Sequence, residues 1–296
     1  MMLIVGTIPN KNLPLVHGRV SRSGDNLVVR DHQIPRFQGT GAMISAALEV
    51  TRYFGIEEPD ALVAGDIGSG EGTRAIFQFL TEKVNRLCPK VMTLHYCLPL
   101  ITPIRRLFEA IGDRNRPFLI ADAGAMYAAK AAGLATLFDL MTPDPSEIAF
   151  LSDPNAHHPA YVSEYLFSSD ASLVPEQIKS AFIHKTAAKM LLVKGKTDYI
   201  AKDGDVLSTI NEPDVPTLEA IGGTGDTITG LVSAFIYAGF PTLEAATLAA
   251  KANRLAGLSL KVTPATKVKE MIDYFKNVFK QLLDGSESLI TLKARS

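Results

Sequence analysis

Cysteine is nearly absent: Cys88 and Cys97 are the only two in 296 residues. Two thiols are too few for a disulfide framework or a thiolate zinc site, which points to the cell interior and a cytoplasmic protein. Neither sign of charge is in excess, with 30 Lys and Arg against 31 Asp and Glu. No basic run is present either, so there is no footprint for nucleic acid. Long apolar runs are also missing. The apolar start Met1-Met2-Leu3-Ile4-Val5-Gly6 is only a few residues long. It reads as a buried first strand and not as a signal peptide or a span, so no membrane partner is expected. Repeats, coiled-coil heptads and low-complexity tracts do not occur. The length is near the upper limit for one core, and residues 1–296 are read as a single domain. A homo-oligomer is permitted and not required.

What is there is alternation. Short apolar runs at 2–5, 61–64, 91–94, 118–121, 135–140 and 190–193 alternate with helical patterns at 42–53, 73–87, 104–111, 127–132 and 180–189. Such alternation predicts an α/β chain with a mostly parallel sheet covered by helices on both faces. Ligands of such sheets bind at the carboxyl ends of the strands. Residues 199–201 and 206–210 are expected to pair across Lys202-Asp203-Gly204-Asp205 as an antiparallel edge. Two further helices follow at 243–260 and 268–283. Residues 7–38 are irregular, with Pro9, Pro14 and Pro35 and a short strand at 27–29, and read as a flap or an edge hairpin.

The densest signal is Gly222-Gly223-Thr224-Gly225-Asp226, followed by an apolar helical run. Glycines let the backbone approach a ligand, and Gly225 is expected to need positive φ. The open amides of the following helix start make an anion site. Asp226 beside it is either a general base, with the amides holding developing charge, or a plain helix cap. Gly39-Thr40-Gly41 opens a second helix and is either a binding loop or an ordinary strand-to-helix turn. Asp66 and Asp122 end strands, where each meets a ligand or satisfies a helix start. Asp144 and Glu147, in Thr142-Pro143-Asp144-Pro145-Ser146-Glu147, are three apart. Oxygen donors of that kind suit Mg²⁺, and they equally suit the positive end of a helix. The turn-rich stretch with His157-His158 lacks metal-ligand spacing and reads as surface loop.

In their order, "GTGA", "DAGA", "TPDPSE", "VKG" and "GGTGDTITG" resemble the ribokinase-like superfamily over residues 39–260. The nearest resemblance is to its NAD(P)H-hydrate dehydratase branch, the carbohydrate-kinase domain of YjeF-type proteins. The resemblance implies a three-layer α/β/α fold that takes a nucleotide, ATP or ADP, with Mg²⁺ and a small-molecule substrate. It implies that Gly222, Gly223, Thr224 and Gly225 form the anion hole and that Asp226 is the base. Glu147 and Asp144 would lie by the metal. Lys194, Gly195, Thr197 and Asn253 would border the nucleotide, and Gly39, Thr40, Gly41, Asp66 and Asp122 the substrate. The implied reaction is dehydration of hydrated NADH or NADPH through phosphoryl transfer to its hydroxyl and elimination. A kinase of a sugar or other small alcohol is the second reading, since Asp226-Thr227-Ile228-Thr229-Gly230 resembles sugar-kinase sequences. A non-catalytic nucleotide-binding protein is the third. Pro216-Thr217-Leu218-Glu219 stands where the branch usually has Asn-x-Gly-Met, and Asp144 and Ser146 stand where it has His and Gly.

Overall fold

The computed structural model describes residues 1–112, 116–156 and 171–283. Its strands, in chain order, are β1 (Met2–Ile8), β2 (Val16–Ser23), β3 (Asn26–Val29), β4 (His32–Pro35), β5 (Asp60–Gly65), β6 (Val91–Leu94), β7 (Phe118–Ala121), β8 (Leu140–Met141), β9 (Met190–Val193), β10 (Asp198–Lys202) and β11 (Asp205–Ile210). They form one sheet in the order β11-β10-β9-β8-β7-β6-β1-β5-β2-β3-β4. From β9 to β5 every neighbouring pair is parallel. Both flanks are antiparallel. The central strands are short and buried on both sides, which is why they read as apolar runs without alternation.

The helices are α1 (Gly39–Phe54), α2 (Glu71–Leu87), α3 (Ile101–Ile111), α4 (Gly124–Ala132), α5 (Pro145–Ser152), α6 (Val174–Ile183), α7 (Thr224–Tyr237), α8 (Thr242–Leu260) and α9 (Val268–Leu283). α1, α7, α8 and α9 build one apolar layer against the sheet, and α2 to α6 build the other. This is the expected α/β/α arrangement. Among the described residues, no helix is long and apolar enough to cross a membrane.

Of the two readings of residues 7–38, the edge hairpin holds and the flap does not: β2, β3 and β4 run as an antiparallel meander that extends the sheet from β5. Two expectations change. The apolar run 135–140 is not one strand. Gly133 ends α4 at φ 71, Ala135–Leu137 turns as 3-10 helix, and only Leu140 and Met141 reach the ladder. The helix expected at 180–189 starts earlier, with Pro175 in its first turn, and stops at Ile183 because Lys185 is left-handed at φ 57. The loop expected around His157-His158 lies partly outside the described residues.

β1 lies between β5 and β6, so the chain crosses to opposite sides from it, and the crevice above β1 and β6 is the switch point where ligands bind in such sheets. α1 and α7 meet directly above it. Their crossing is close because Gly230 has no side chain: a Cβ there would stand 2.2 Å from the main-chain oxygen of Met43. Backbone cannot yield as a side chain can. Gly230→Ala is expected to destabilise the fold by about 1–3 kcal/mol, read as a lower guanidinium midpoint at unchanged slope. An unchanged midpoint would mean that the two helices separate freely.

Candidate active site

A cleft of about 500 Å³ opens at the carboxyl ends of the parallel strands. Its lining includes Asp122, Glu147, Lys194, Gly225, Asp226 and Asn253. At its centre is the start of α7. Gly223 stands at the N-cap with φ 98, and no side chain caps the helix, so the first-turn amides face the cleft. The positive φ therefore falls on Gly223 and not on Gly225, which is already helical. A Cβ on Gly225 would stand in ordinary van der Waals contact with the Lys194 ammonium, 3.6 Å away, so packing does not require glycine there.

Asp226, in the first turn, does not cap its own helix. One oxygen, Oδ2, accepts from the Gly39 amide at 2.7 Å. The other, Oδ1, lies 3.0 Å from His95 Nε2. Burial alone would raise this carboxyl, but His95, Lys194 and the Gly39 amide together hold it below its ordinary value. Asp226 is thus an ionised carboxylate beside an uncapped helix start, the arrangement a general base needs.

Below it lies a buried ion pair. Lys194 Nζ donates to both Asp122 oxygens at 2.9 and 3.0 Å. Thr229 donates to Asp122 Oδ2 at 2.6 Å, and the Ala123 amide donates to Oδ1 at 2.9 Å. Burial would lower the Lys194 ammonium, but Asp122 and Glu147 outweigh it and keep the group charged. His95, Asp122 and Asp226 lie close enough to share an ion. The acceptor positions of Asp122 are already taken by four hydrogen bonds from three groups, however, so the trio is a hydrogen-bonded cluster and not an open cation site.

Asp144 and Glu147 form a reciprocal capping box on α5. The Glu147 amide donates to Asp144 Oδ1, and the Asp144 amide donates to Glu147 Oε2, each at 2.8 Å. Tyr127 donates to Glu147 Oε1 at 3.2 Å. Both acids also line the cleft, so the capping and ligand readings are compatible. Burial first, then Asp144 and Asp122, push the Glu147 carboxyl from 4.5 up to about 8. Such a donor set fits Mg²⁺: it is oxygen only, and a cation beside it would relieve the penalty for ionising Glu147.

The structure does not bring every expected residue to the cleft. Gly222, Gly223, Thr224 and Gly225 surround the helix start. Gly195 and Asn253 line the cleft, and Asn253 accepts from Thr227 at 2.9 Å. Lys194 lines the cleft at its buried floor, paired with Asp122. Thr197 is outside the lining, and so is Asp66, which accepts from the amides of Gly68, Gly70 and Thr73 and so holds the start of α2. Gly39 touches Asp226 through its amide, whereas Thr40 is buried behind His95. Gly41 is small because a Cβ would stand 1.8 Å from the Pro35 oxygen. Arg254 and Asp198 form a buried pair at 2.8 Å, and Arg254 also donates to the main-chain oxygens of Gly195 and Lys196. Three contributors were not foreseen: His95, Thr229 and Tyr127. For His95 the available signal was a histidine directly after the buried strand β6.

A family model described as NAD(P)H-hydrate dehydratase, of the carbohydrate-kinase type, matches residues 66–276. An uncharacterized protein of Methanocaldococcus jannaschii is 38% identical over 241 residues, 81% of this chain and 100% of that protein. The bifunctional NAD(P)H-hydrate repair enzyme Nnr of Pyrobaculum aerophilum is 33% identical over 155 residues, 52% of this chain and 27% of Nnr. Among solved structures, a pyridoxal kinase from Entamoeba histolytica matches 93% of this chain and 95% of its own, with a TM-score of 0.53 and 15% identity. That likeness shows the ribokinase-like fold.

The Glu147 carboxyl makes stability depend on pH. An acid raised in the folded state stabilises the fold while protonated. Its contribution is whole below the ordinary value of 4.5 and is lost as pH rises through about 8. Without Mg²⁺, the denaturant midpoint of the wild type is expected to fall between about pH 5 and 8 more than that of Glu147→Gln. Millimolar Mg²⁺ should recover the wild type at the alkaline end. Parallel profiles for the two proteins, with no response to Mg²⁺, would take Glu147 out of the cation site.

Proposed function

Since the chain belongs to the NAD(P)H-hydrate dehydratase family of carbohydrate-kinase type, we propose that it binds ATP or ADP with Mg²⁺ in the cleft and dehydrates hydrated NADH or NADPH. The observation that carries this reading is Asp226: a half-buried, ionised carboxylate, free of capping duty, at an uncapped helix start. Asp226 accepts the proton of the substrate hydroxyl as its oxygen attacks the terminal phosphoryl group. The amides from Gly223 to Asp226 hold the charge on the transferring group. Transfer breaks the bond to the nucleotide, which leaves as ADP from ATP or as AMP from ADP; loss of inorganic phosphate from one ring carbon, with loss of a proton from the carbon beside it, then restores the ring double bond. Asp144 and Glu147 would hold Mg²⁺, which supplies charge neutralisation on the phosphates. Gly225, with hydrogen in place of a side chain, leaves the phosphoryl path open above Lys194.

A kinase of a sugar or other small alcohol is the second reading, favoured by the Asp226-Thr227-Ile228-Thr229-Gly230 run. It would use the same base and the same cradle and would differ only in stopping at the ester.

The assay combines pure protein, Mg²⁺, ATP or ADP and chemically hydrated NADH, following recovery of NADH absorbance, with a panel of alcohols beside it. Recovery of NADH supports the dehydratase, and a phosphorylated alcohol with no recovery supports the kinase. Asp226→Asn is expected to lower turnover at least about 10²-fold while nucleotide affinity, measured by calorimetry, changes far less. Full turnover in that variant would reduce Asp226 to a bystander.

A further inference from the structure

Between β9 and β10 the chain turns at the wall of the cleft, and an arginine of α8 holds that turn in shape. Arg254 donates to the main-chain oxygens of Gly195 and Lys196, each at 2.9 Å, and to Asp198 Oδ2 at 2.8 Å. The other oxygen of Asp198 accepts from the Gly195 amide at 3.0 Å. Just before the turn, the Lys194 amide donates to the Pro143 oxygen at 2.8 Å. The backbone at Lys196 is therefore fixed by α8 on one side and by the loop into α5 on the other.

The side chain of Lys196 is not held in the same way. The basic residues that line the cleft are Lys194, Lys196 and Arg254. Lys194 is paired with Asp122 and Arg254 with Asp198, and both pairs are buried. Lys196 is exposed, and among the described residues its ammonium has no hydrogen bond or ion pair. Asp144, Asp214 and Glu219 line the same cleft, and no described Lys or Arg pairs with them. A polyanion entering here is repelled by those acids, and the amides at the start of α7 offer it only partial charge. Lys196 adds a whole positive charge on an anchored turn. An ammonium of this kind meets phosphate as a point charge with three donors.

Strand order places that charge away from Asp226. Asp226 is turned toward Gly39 and toward His95, which follows β6. Lys196 follows β9, and β7 and β8 lie between the two strands. Three strand spacings amount to about 14 Å. A nucleotide whose terminal phosphoryl group reaches Asp226 would lay the rest of its phosphate chain toward Lys196.

We propose that Lys196 binds the phosphate chain of the nucleotide, as the unpaired cation of the cleft wall. The proposal rests on the cleft taking a nucleotide, and the experiment separates the two.

Calorimetric titrations with ATP, ADP and adenosine, in Mg²⁺ and at two salt concentrations, compare the wild type with Lys196→Met. Methionine keeps most of the apolar stem and removes the charge, and circular dichroism checks the fold. Affinity for ATP and ADP should fall about 10-fold, and adenosine should bind as before. The affinity of the variant for ATP should also depend less on salt. Lys196→Arg, which keeps the charge, should retain most of the ATP affinity. Equal ATP affinity in the wild type and Lys196→Met would sink the role of Lys196 while leaving the nucleotide reading intact. An equal loss for adenosine would mean that the side chain acts by packing, which also overturns the proposal. Weaker NADPH binding with ATP unaffected would move the lysine to the substrate's phosphates and refute it. A wild type that binds neither ATP nor ADP would end this proposal and the nucleotide reading together.

Discussion

The bond between Lys194 and Asp122 joins three strand ends to one helix. Lys194 follows β9, Asp122 follows β7, and Thr229 of α7 donates to Asp122 from above. Thr142, after β8, shares a 2.9 Å hydrogen bond with the same Thr229. Two charges taken out of water are tolerated because nearly every oxygen and hydrogen of the pair has a partner. Removing either partner leaves a bare buried charge, an effect of about 3–5 kcal/mol in comparable pairs.

Charge balance explains the neighbouring acids. Lys194 offsets Asp122, so that pair is matched before any ligand arrives. A nucleotide would bring several negative charges beside groups that are already matched. The Glu147 carboxyl is raised by burial first and by Asp144 and Asp122 next, so that corner is short of positive charge. A divalent cation held there would meet both needs.

Local pattern made the sheet, most helices and the glycine loop legible in the sequence. Each is specified by residues near one another: apolar runs of strand length, helical spacing, or three glycines in four positions. Long-range partnerships were not legible. His95 is one histidine in an ordinary stretch, and its importance comes from Thr40 and Asp226, which only the sheet order brings to it. Lys194 reads locally as part of a nucleotide loop, but its partner Asp122 is 72 positions earlier in the chain. The two-residue strand β8 was also hidden. An apolar run cannot say which of its residues will find a ladder, and Gly133 decided that by ending α4 where it does.

The crossing of α1 and α7 at Gly230 carries one more consequence. The contact is between helix backbones, with no flexible side chain between them to absorb displacement. The same two helices supply the Gly39 amide and the Asp226 carboxylate at their first turns. The Asp226 carboxylate and the amide that holds it are therefore registered by two nearly rigid rods. Their relative position has little freedom left to lose, so a ligand that meets Asp226 finds it already ordered by folding.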